Sequence, residues 1–175
     1  MAPEVDRSIE VLRRTPDALR ALLGGQSDFW ARGNYGDATF SPFDVVAHLV
    51  GAEQTNWVPR VRILLQHGEA VPFPTFDRYA VVEASRDRPL SELLDTFAAL
   101  RAQSLDDLYA LNLTPADLVR RGTHPALGGV SLGQLLAAWT VHDLGHTHQV
   151  AKAMAYQYRD AVGPFRQYLS ILPSE

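Results

Sequence analysis

Residues 131–150 read SLGQLLAAWTVHDLGHTHQV, and this stretch predicts a long helix with one apolar stripe. Ser131 and Gln134, three residues apart, form a capping box, which marks the start of a helix. Because an α-helix turns by about 100° per residue, its apolar side chains share one line: Leu132, Leu135, Trp139, Val150 and Ala153. The helix is expected to reach about Tyr158.

Three more segments carry a helical pattern: residues 5–23 with a break near Pro16, residues 42–67 with a cap at Ser41 and a kink at Pro59, and residues 90–111. Residues 27–40, 69–89 and 122–129 are predicted as loops, and no period-two pattern of useful length predicts a strand. Four long helices with two substantial crossover loops favour an all-α, antiparallel four-helix bundle with a short C-terminal helix over 164–172. We expect a single domain over residues 1–175.

The composition excludes several classes of protein. The chain is 46% hydrophobic and 21% charged, with a formal net charge of -4, and it has no basic patch that would indicate a nucleic-acid partner. No stretch approaches the roughly 18 apolar residues of a membrane span. The chain has no cysteine, so a disulfide or a protein thiolate cannot take part in its chemistry. A cytoplasmic location is expected.

The three histidines of the long helix do not point the same way. His142 and His146 are one turn apart and are predicted on the apolar stripe, at the centre of the buried face. His148 is roughly 200° away from His146 and is predicted to face solvent. His67 and His124 are interpreted as loop residues, and His124 as a structural or surface residue of the turn before the long helix. Two buried imidazoles side by side need either polar partners or a shared cation, because an unpaired ring nitrogen costs about 1–3 kcal/mol.

A third imidazole is predicted to join this pair. On the second helix, the side of His48 carries small or polar residues: Asp44, Val45, Ala52, Thr55 and Pro59. Such a face is consistent with a helix that lines a cavity. His48, His142 and His146 would form a facial trio that leaves coordination positions open for water or substrate. Asp44 and Thr55 are candidate pocket residues, although helix capping explains Asp44 equally well.

Two other interpretations of these histidines stay open. The spacing of His142 and His146 is that of the H-E-x-x-H motif of zinc proteases, but Asp143 stands where such a protease carries its catalytic Glu, and no third ligand follows soon after. The trio could also hold no metal, with its imidazoles hydrogen-bonded to neighbouring groups.

Four segments in order resemble the DinB-like (YfiT-like) superfamily of metal-dependent bundle proteins: SPFDVVAHL at 41–49, HPALGGVSLGQLLAAW at 124–139, VHDLGHTHQV at 141–150, and AMAYQY with VGPF between 153 and 165. The resemblance spans about residues 41–164 and implies the four-helix bundle fold. It also implies that the metal ligands are one histidine on the second helix and a His-x3-His pair on the fourth. These positions correspond to His48, His142 and His146.

The resemblance implies a divalent metal, zinc or nickel foremost, and for some members a thiol S-transferase activity. The thiol would be of low molecular weight, such as mycothiol or bacillithiol, and a cysteine-free chain fits a nucleophile supplied by such a cofactor. A hydrolase is a further possibility. The alternative is a non-catalytic, metal- or ligand-binding bundle of a stress response.

The proline- and aromatic-rich segment 69–89 is predicted to shape the entrance to the site. Arg78 in this segment is available for a carboxylate of a small-molecule substrate. In the alternative interpretation, Asp77 and Arg78 fasten the segment to a neighbouring helix. Bundles of this kind frequently pair through their outer faces, so a homodimer is expected.

Overall fold

A computed structural model describes residues 1–172, and residues 173–175 of the predicted domain lie outside the described part. The elements follow in this order: α1 (Pro3–Leu12), α2 (Thr15–Leu23), α3 (Asp28–Arg32), α4 (Pro42–Thr55), α5 (Trp57–His67), a 3-10 turn (Gly68–Ala70), α6 (Arg78–Ala84), α7 (Leu90–Ala110), α8 (Pro115–Leu118), β1 (Arg121–His124), β2 (Gly128–Ser131), α9 (Leu132–Tyr156) and a 3-10 segment (Gly163–Tyr168).

The chain forms a four-helix bundle, as predicted. Its four arms are α1 with α2, α4 with α5, α7, and α9, and the first two arms each contact both α7 and α9. The two longest connections are residues 68–89 and 111–131, and residues 24–41, which include α3, join the first two arms. Of the helices in the described part of the chain, none combines the length and the hydropathy that crossing a membrane requires.

Both predicted helix starts carry the expected capping boxes. Ser41 Oγ accepts a hydrogen bond from the Asp44 amide, and Asp44 Oδ2 accepts one from the Ser41 amide at 2.9 Å. Ser131 and Gln134 make the same reciprocal pair at the start of α9. Because each cap satisfies amides that have no partner inside the helix, the registers of the two histidine-bearing helices are fixed at their N-termini.

The predicted kink in the second arm lies one turn before Pro59. The helix is interrupted at Asn56, between α4 and α5. Proline has no amide hydrogen for the carbonyl of Thr55, four residues earlier, and its ring crowds that carbonyl. The amide of Arg60 still donates to the Asn56 carbonyl at 3.1 Å, so the arm bends at Asn56 and continues to His67.

The structure corrects the prediction that residues 122–129 form a plain loop. β1 and β2 pair as an antiparallel hairpin in which Arg121 is opposite Ser131 and His124 is opposite Gly128. Each strand has only four residues, too few for a period-two pattern to be recognised in the sequence. Gly128 has a φ of 72°, a backbone conformation that glycine adopts without steric cost.

The structure also corrects three other local predictions. The predicted loops contain the short helices α3 and α6, and the predicted C-terminal helix is a 3-10 segment that ends at Tyr168. α3 and α6 have five and seven residues, which is too short for a helical period to show in the sequence. Short helices depend on tertiary packing more than on their own propensity.

The core fills the space between the four arms. Trp57 of α5 and Trp139 of α9 stack with ring centroids 5.6 Å apart, and both are buried. Phe43 of α4 and Phe97 of α7 are buried in a second apolar cluster. The histidines therefore project from helices that are held by packing on both sides of the bundle.

Candidate metal centre

The structure brings His48, His142 and His146 together, as predicted. Nε2 of His142 lies 3.0 Å from Nε2 of His48 and 3.1 Å from Nε2 of His146. The three rings offer ligand atoms that all lie within 4.8 Å of one another. His48 is buried on α4, and the other two are partly buried on α9.

This spacing fits a shared metal ion. Two nitrogens bound at about 2.0–2.1 Å to one zinc ion lie about 3.3 Å apart at a tetrahedral angle. A right angle at the same bond length gives about 2.9 Å. The two contacts of His142 fall between these values. Three protein ligands on one side leave the other coordination positions free for water or substrate, as in catalytic sites.

The hydrogen bond of His146 and the lowered pKa values of His48 and His146 favour metal binding by these two rings. Nδ1 of His146 lies 2.8 Å from Oε1 of Gln149. An amide oxygen only accepts, so Nδ1 carries the hydrogen and Nε2 presents its lone pair. Burial, reinforced by the neighbouring histidines, lowers the pKa of His48 to about 3 and that of His146, where His142 is the neighbour, to about 4. Both rings are therefore neutral at pH 7, the form that binds a metal.

Asp143, the residue next to His142, is fully buried and does not serve as a protease-like base. Its carboxylate accepts two hydrogen bonds from Arg101 of α7, at 2.6 and 3.1 Å. Arg101 also donates twice to Oε1 of Glu53 on α4, at 3.1 and 2.7 Å. The three side chains form a buried ionic triad, which we call the Arg101 triad. Nδ1 of His142 lies 3.9 Å from Asp143 Oδ1, so the triad also presents a negative charge to this ring.

The Arg101 triad corrects the prediction that His142 and His146 occupy the centre of the buried face. The buried positions of α9 are spaced mostly by three or four residues and include Asp143: Leu132, Leu135, Leu136, Trp139, Asp143, Val150 and Ala153. The His142 side chain is 23% exposed, whereas Asp143 is not exposed at all. The histidines thus border the packed face and turn toward a cavity.

The three rings line a cavity of about 720 Å³. Its wall is mostly aromatic and polar: Tyr35, Ala38, Thr39, Phe40, Asn56, Trp57, Arg60, Thr75, Phe76, Arg78, Tyr79, His124, Pro125, Ala126 and Gln149. Phe76 packs against His48 with ring centroids 5.3 Å apart, and Trp57 packs edge-on against His142 at 5.0 Å. Concave sites with an aromatic wall and a few converging polar groups are typical of small-molecule binding.

The sequence profile of the DinB superfamily matches residues 11–150. This chain belongs to the DinB superfamily. Among solved structures, YfiT from Bacillus subtilis has a TM-score of 0.75 at 20% sequence identity, with 93% of this chain and 90% of YfiT covered. YfiT is described as a probable metal-dependent hydrolase with an unusual four-helix bundle topology, and at this identity the likeness shows a common fold. No curated protein matches the chain.

Of the predicted pocket residues of this DinB superfamily member, Arg78 lies in the cavity wall, whereas Asp44 and Thr55 are not among the lining residues. Asp44 is engaged in its capping box. Thr55 is exposed and donates to the carbonyl of Gly51 at 2.9 Å. Beyond the interruption at Asn56, Trp57 and Arg60 line the cavity, whereas Pro59, which was predicted on the His48 side, does not.

Asp77 and Arg78, at the start of α6, have separate roles. Asp77 Oδ1 accepts hydrogen bonds from the amides of Tyr79 and Ala80, and so caps α6. Among the described residues, no carboxylate forms an ion pair with Arg78. Its charge lies near enough to His48 to add to the lowering of that pKa, after burial and the other two histidines.

The other histidines are placed as follows. His148 is exposed, as predicted, whereas His67, which was predicted in a loop, is the exposed last residue of α5. His124 was interpreted as structural or surface, and it lies in the cavity wall. Its Nδ1 accepts from the amides of Ala126 and Leu127, which fixes the turn of the hairpin. No sequence signal placed this turn beside the trio, because the contact depends on how the hairpin packs.

Proposed function

We propose that the chain is a metal-dependent enzyme in which His48, His142 and His146 bind a divalent ion, with zinc and nickel as the foremost candidates. The convergence of the three Nε2 atoms, of which those of His48 and His146 belong to neutral rings, carries this proposal. Nε2 of His142 lies 3.0 and 3.1 Å from the other two Nε2 atoms, and a cation between them would be bound by all three nitrogens at once. The cavity beside the trio gives a small molecule access to the remaining coordination positions.

We propose a thiol S-transferase as the reaction class. A divalent ion in this site would supply Lewis-acid chemistry that lowers the pKa of a bound thiol or water. Because the chain has no cysteine, the sulfur nucleophile would come from a low-molecular-weight thiol of the mycothiol or bacillithiol type. In the reaction the thiol loses its proton, a bond forms between sulfur and the electrophilic carbon, and the leaving group departs from that carbon.

The chain's own residues would position the reactants. Oε1 of Gln149 accepts a hydrogen bond from Nδ1 of His146. Nε2 of the same side chain lies 3.4 Å from the Tyr35 hydroxyl. Such partners of a metal ligand fix its orientation and tautomer. The rings of Trp57 and Phe76 exclude water from the near side of the trio, which strengthens electrostatic interactions there.

A hydrolase is the second candidate, and the description of YfiT as a probable metal-dependent hydrolase favours it. The same site would then activate water as the nucleophile. A non-catalytic, metal-binding bundle of a stress response is the third. A cytoplasmic location and a homodimer stay predictions.

Metal analysis of the purified protein tests the ligand set. We expect about one divalent ion per chain in the wild type and a loss of that ion in the His48→Ala, His142→Ala and His146→Ala variants. The His148→Ala variant is the matched control, because His148 lies on the same helix but is exposed. Equal metal content in all five proteins would contradict the proposed site.

The reaction class is tested by incubating the protein with a panel of thiols and an aryl chloride, and separately with an activated ester. Thioether formation that requires His48 supports the transferase. Ester hydrolysis with the same requirement supports the hydrolase. If metal is bound but neither reaction depends on His48, the non-catalytic alternative is favoured.

A further inference from the structure

Arg60 is a buried cation in the cavity wall without a negative partner. It lies on α5, is 7% exposed, and lines the same cavity as the trio. Its Nη2 donates to the carbonyl of Pro74 at 3.1 Å. Within the described part of the chain its Nε has no hydrogen-bond partner, and no carboxylate forms an ion pair with it.

The positive charge of Arg101, the other well-buried arginine, is neutralised by carboxylates. Arg101 is 1% exposed and forms ion pairs with the carboxylates of Glu53 and Asp143. Burial lowers its pKa, but these two charges outweigh that effect and the net shift is upward. For Arg60, burial lowers the pKa and nothing opposes it. A buried charge without a counter-charge is energetically unfavourable, and such groups cluster at functional sites.

Packing explains part of the Arg60 position. Its guanidinium lies 5.6 Å from the centroid of the Phe73 ring, and the Pro74 carbonyl accepts one of its hydrogens. Neither neighbour carries a negative charge. The buried Arg60 therefore retains donors and a full positive charge at the edge of a cavity that a ligand can enter.

The arginine side chains in the cavity wall have no carboxylate beside them in that wall. Its lining residues include Arg60 and Arg78 and contain neither aspartate nor glutamate, although the chain as a whole carries a net charge of -4. The buried Asn56, one turn before Arg60, adds an amide to the wall. The remaining wall is largely aromatic, so the cavity has positive charge at Arg60 and Arg78 and mostly aromatic surface elsewhere.

We infer that Arg60 binds the carboxylate of an organic acid whose apolar or aromatic body occupies the cavity. The planar guanidinium offers parallel donors that match the two oxygens of a carboxylate. Arg78, at the exposed side of the wall, adds to the attraction. This inference rests on the proposed function, because it names the class of ligand that the cavity beside the proposed metal site accepts.

Calorimetric titration with phenylpropionate, and with its uncharged amide, tests the inference. The protein is titrated both as purified and after removal of metal by a chelator, so that binding to the metal ion is separated from binding to Arg60. We expect the carboxylate to bind the wild type at least ~10-fold more tightly than the amide in both forms, as a charge-assisted hydrogen bond predicts. Equal affinity for the acid and the amide would overturn the inference.

Two variants of Arg60 and one control complete the test. Arg60→Gln should weaken carboxylate binding by about 10-fold or more and leave amide binding unchanged, and Arg60→Lys should recover part of the loss. Arg62→Gln is the control, because Arg62 lies on the same helix, is exposed and pairs with Asp107 at 3.0 Å. Wild-type carboxylate affinity in Arg60→Gln would overturn the inference. So would Arg60-dependent binding of inorganic phosphate without binding of the carboxylate.

The metal content of the Arg60→Gln variant distinguishes this inference from the proposed function. We expect wild-type metal content, because Arg60 is not among the three clustered histidines. Loss of carboxylate binding with intact metal supports the inference. If carboxylate binding is insensitive to Arg60 while the histidine variants still lose metal, the inference fails and the proposed function stands.

Discussion

Nη1 of Arg101 lies 2.6 Å from Oδ2 of Asp143, the residue that follows the proposed ligand His142. The same guanidinium donates to Oε1 of Glu53 and to the carbonyl of Leu12 at the end of α1. Arg101 belongs to α7 and its three partners to α9, α4 and α1, so a single side chain joins all four arms of the bundle. The middle of α9 is therefore held beside the site by a contact one residue away from a ligand.

Replacing Arg101 with Met should destabilise the protein strongly. The change leaves the carboxylates of Glu53 and Asp143 buried without a counter-charge, and breaking a buried pair in this way costs about 3–5 kcal/mol. Urea unfolding measures the loss. Arg20→Met is the control, because Arg20 and Asp95 form an exposed pair on two of the same arms, and such a pair contributes at most about 1 kcal/mol. A loss in Arg101→Met no larger than in the control would show that the triad is not a structural tie.

Removing the amide of Gln149 should weaken metal binding without removing a ligand. Oε1 of Gln149 accepts from Nδ1 of His146 at 2.8 Å and so fixes the tautomer that presents Nε2. Loss of such a partner typically costs about 10–100-fold in metal affinity. We expect the dissociation constant of zinc, measured by competition with a chromophoric chelator, to rise about 10-fold in Gln149→Leu. His148→Ala should retain the wild-type constant, and an unchanged constant in Gln149→Leu would exclude a role for this hydrogen bond.

The bundle and the histidine trio were predictable because they depend on local patterns. Capping residues marked the starts of α4 and α9, and helical spacing placed His142 and His146 on one side of α9. The apolar stripe of α9 alone misplaced the centre of the buried face, because the buried Asp143 is polar and does not add to that stripe. Position 143 lies four residues after Trp139 and seven before Val150, so the helical spacing of these buried residues identifies Asp143 as a buried position.

The cavity wall was less predictable, because it is formed by segments far apart in the chain. Arg60, His124 and Tyr35 come from α5, the hairpin and the segment after α3. No period in the sequence relates these positions, and the bend at Asn56 alters which side of the second arm faces the site. Arg101 could have been found, because it lies four residues after the buried Phe97 and four before the buried Leu105, where helical spacing requires a core side chain.

The metal-free protein should lose stability as the pH falls from about 6.5 toward 4. Burial, reinforced by neighbouring histidines, lowers the folded-state pKa of His48 to about 3 and of His146 to about 4, from 6.5 in the unfolded chain. Between these values the unfolded chain binds more protons than the folded one, so the free energy of unfolding rises with pH. We expect a decrease of at least ~2 kcal/mol from pH 6.5 to 4.5, since one pKa unit corresponds to about 1.4 kcal/mol.

Urea unfolding at a series of pH values in the presence of a chelator measures this slope. His48→Gln should have a shallower slope, because a titrating group is removed, whereas His148→Gln should retain the wild-type slope, since that ring is exposed. A wild-type stability that is independent of pH over this range would contradict the buried, neutral state of the two rings.

Two helical glycines should respond to alanine in opposite directions. A Cβ at Gly51 of α4 would lie 2.5 Å from Cγ1 of Val81 on α6, whereas a Cβ at Gly145 of α9 meets no atom within 4 Å. Gly145→Ala should therefore stabilise the protein by about 0.5–1 kcal/mol, because alanine loses less backbone entropy in a helix. Gly51→Ala should destabilise it by about 1–3 kcal/mol through overpacking, and the displacement of α6 would also move Arg78 in the cavity wall. Thermal unfolding of the two variants checks both signs, and a stabilised Gly51→Ala would show that α6 does not pack closely on α4.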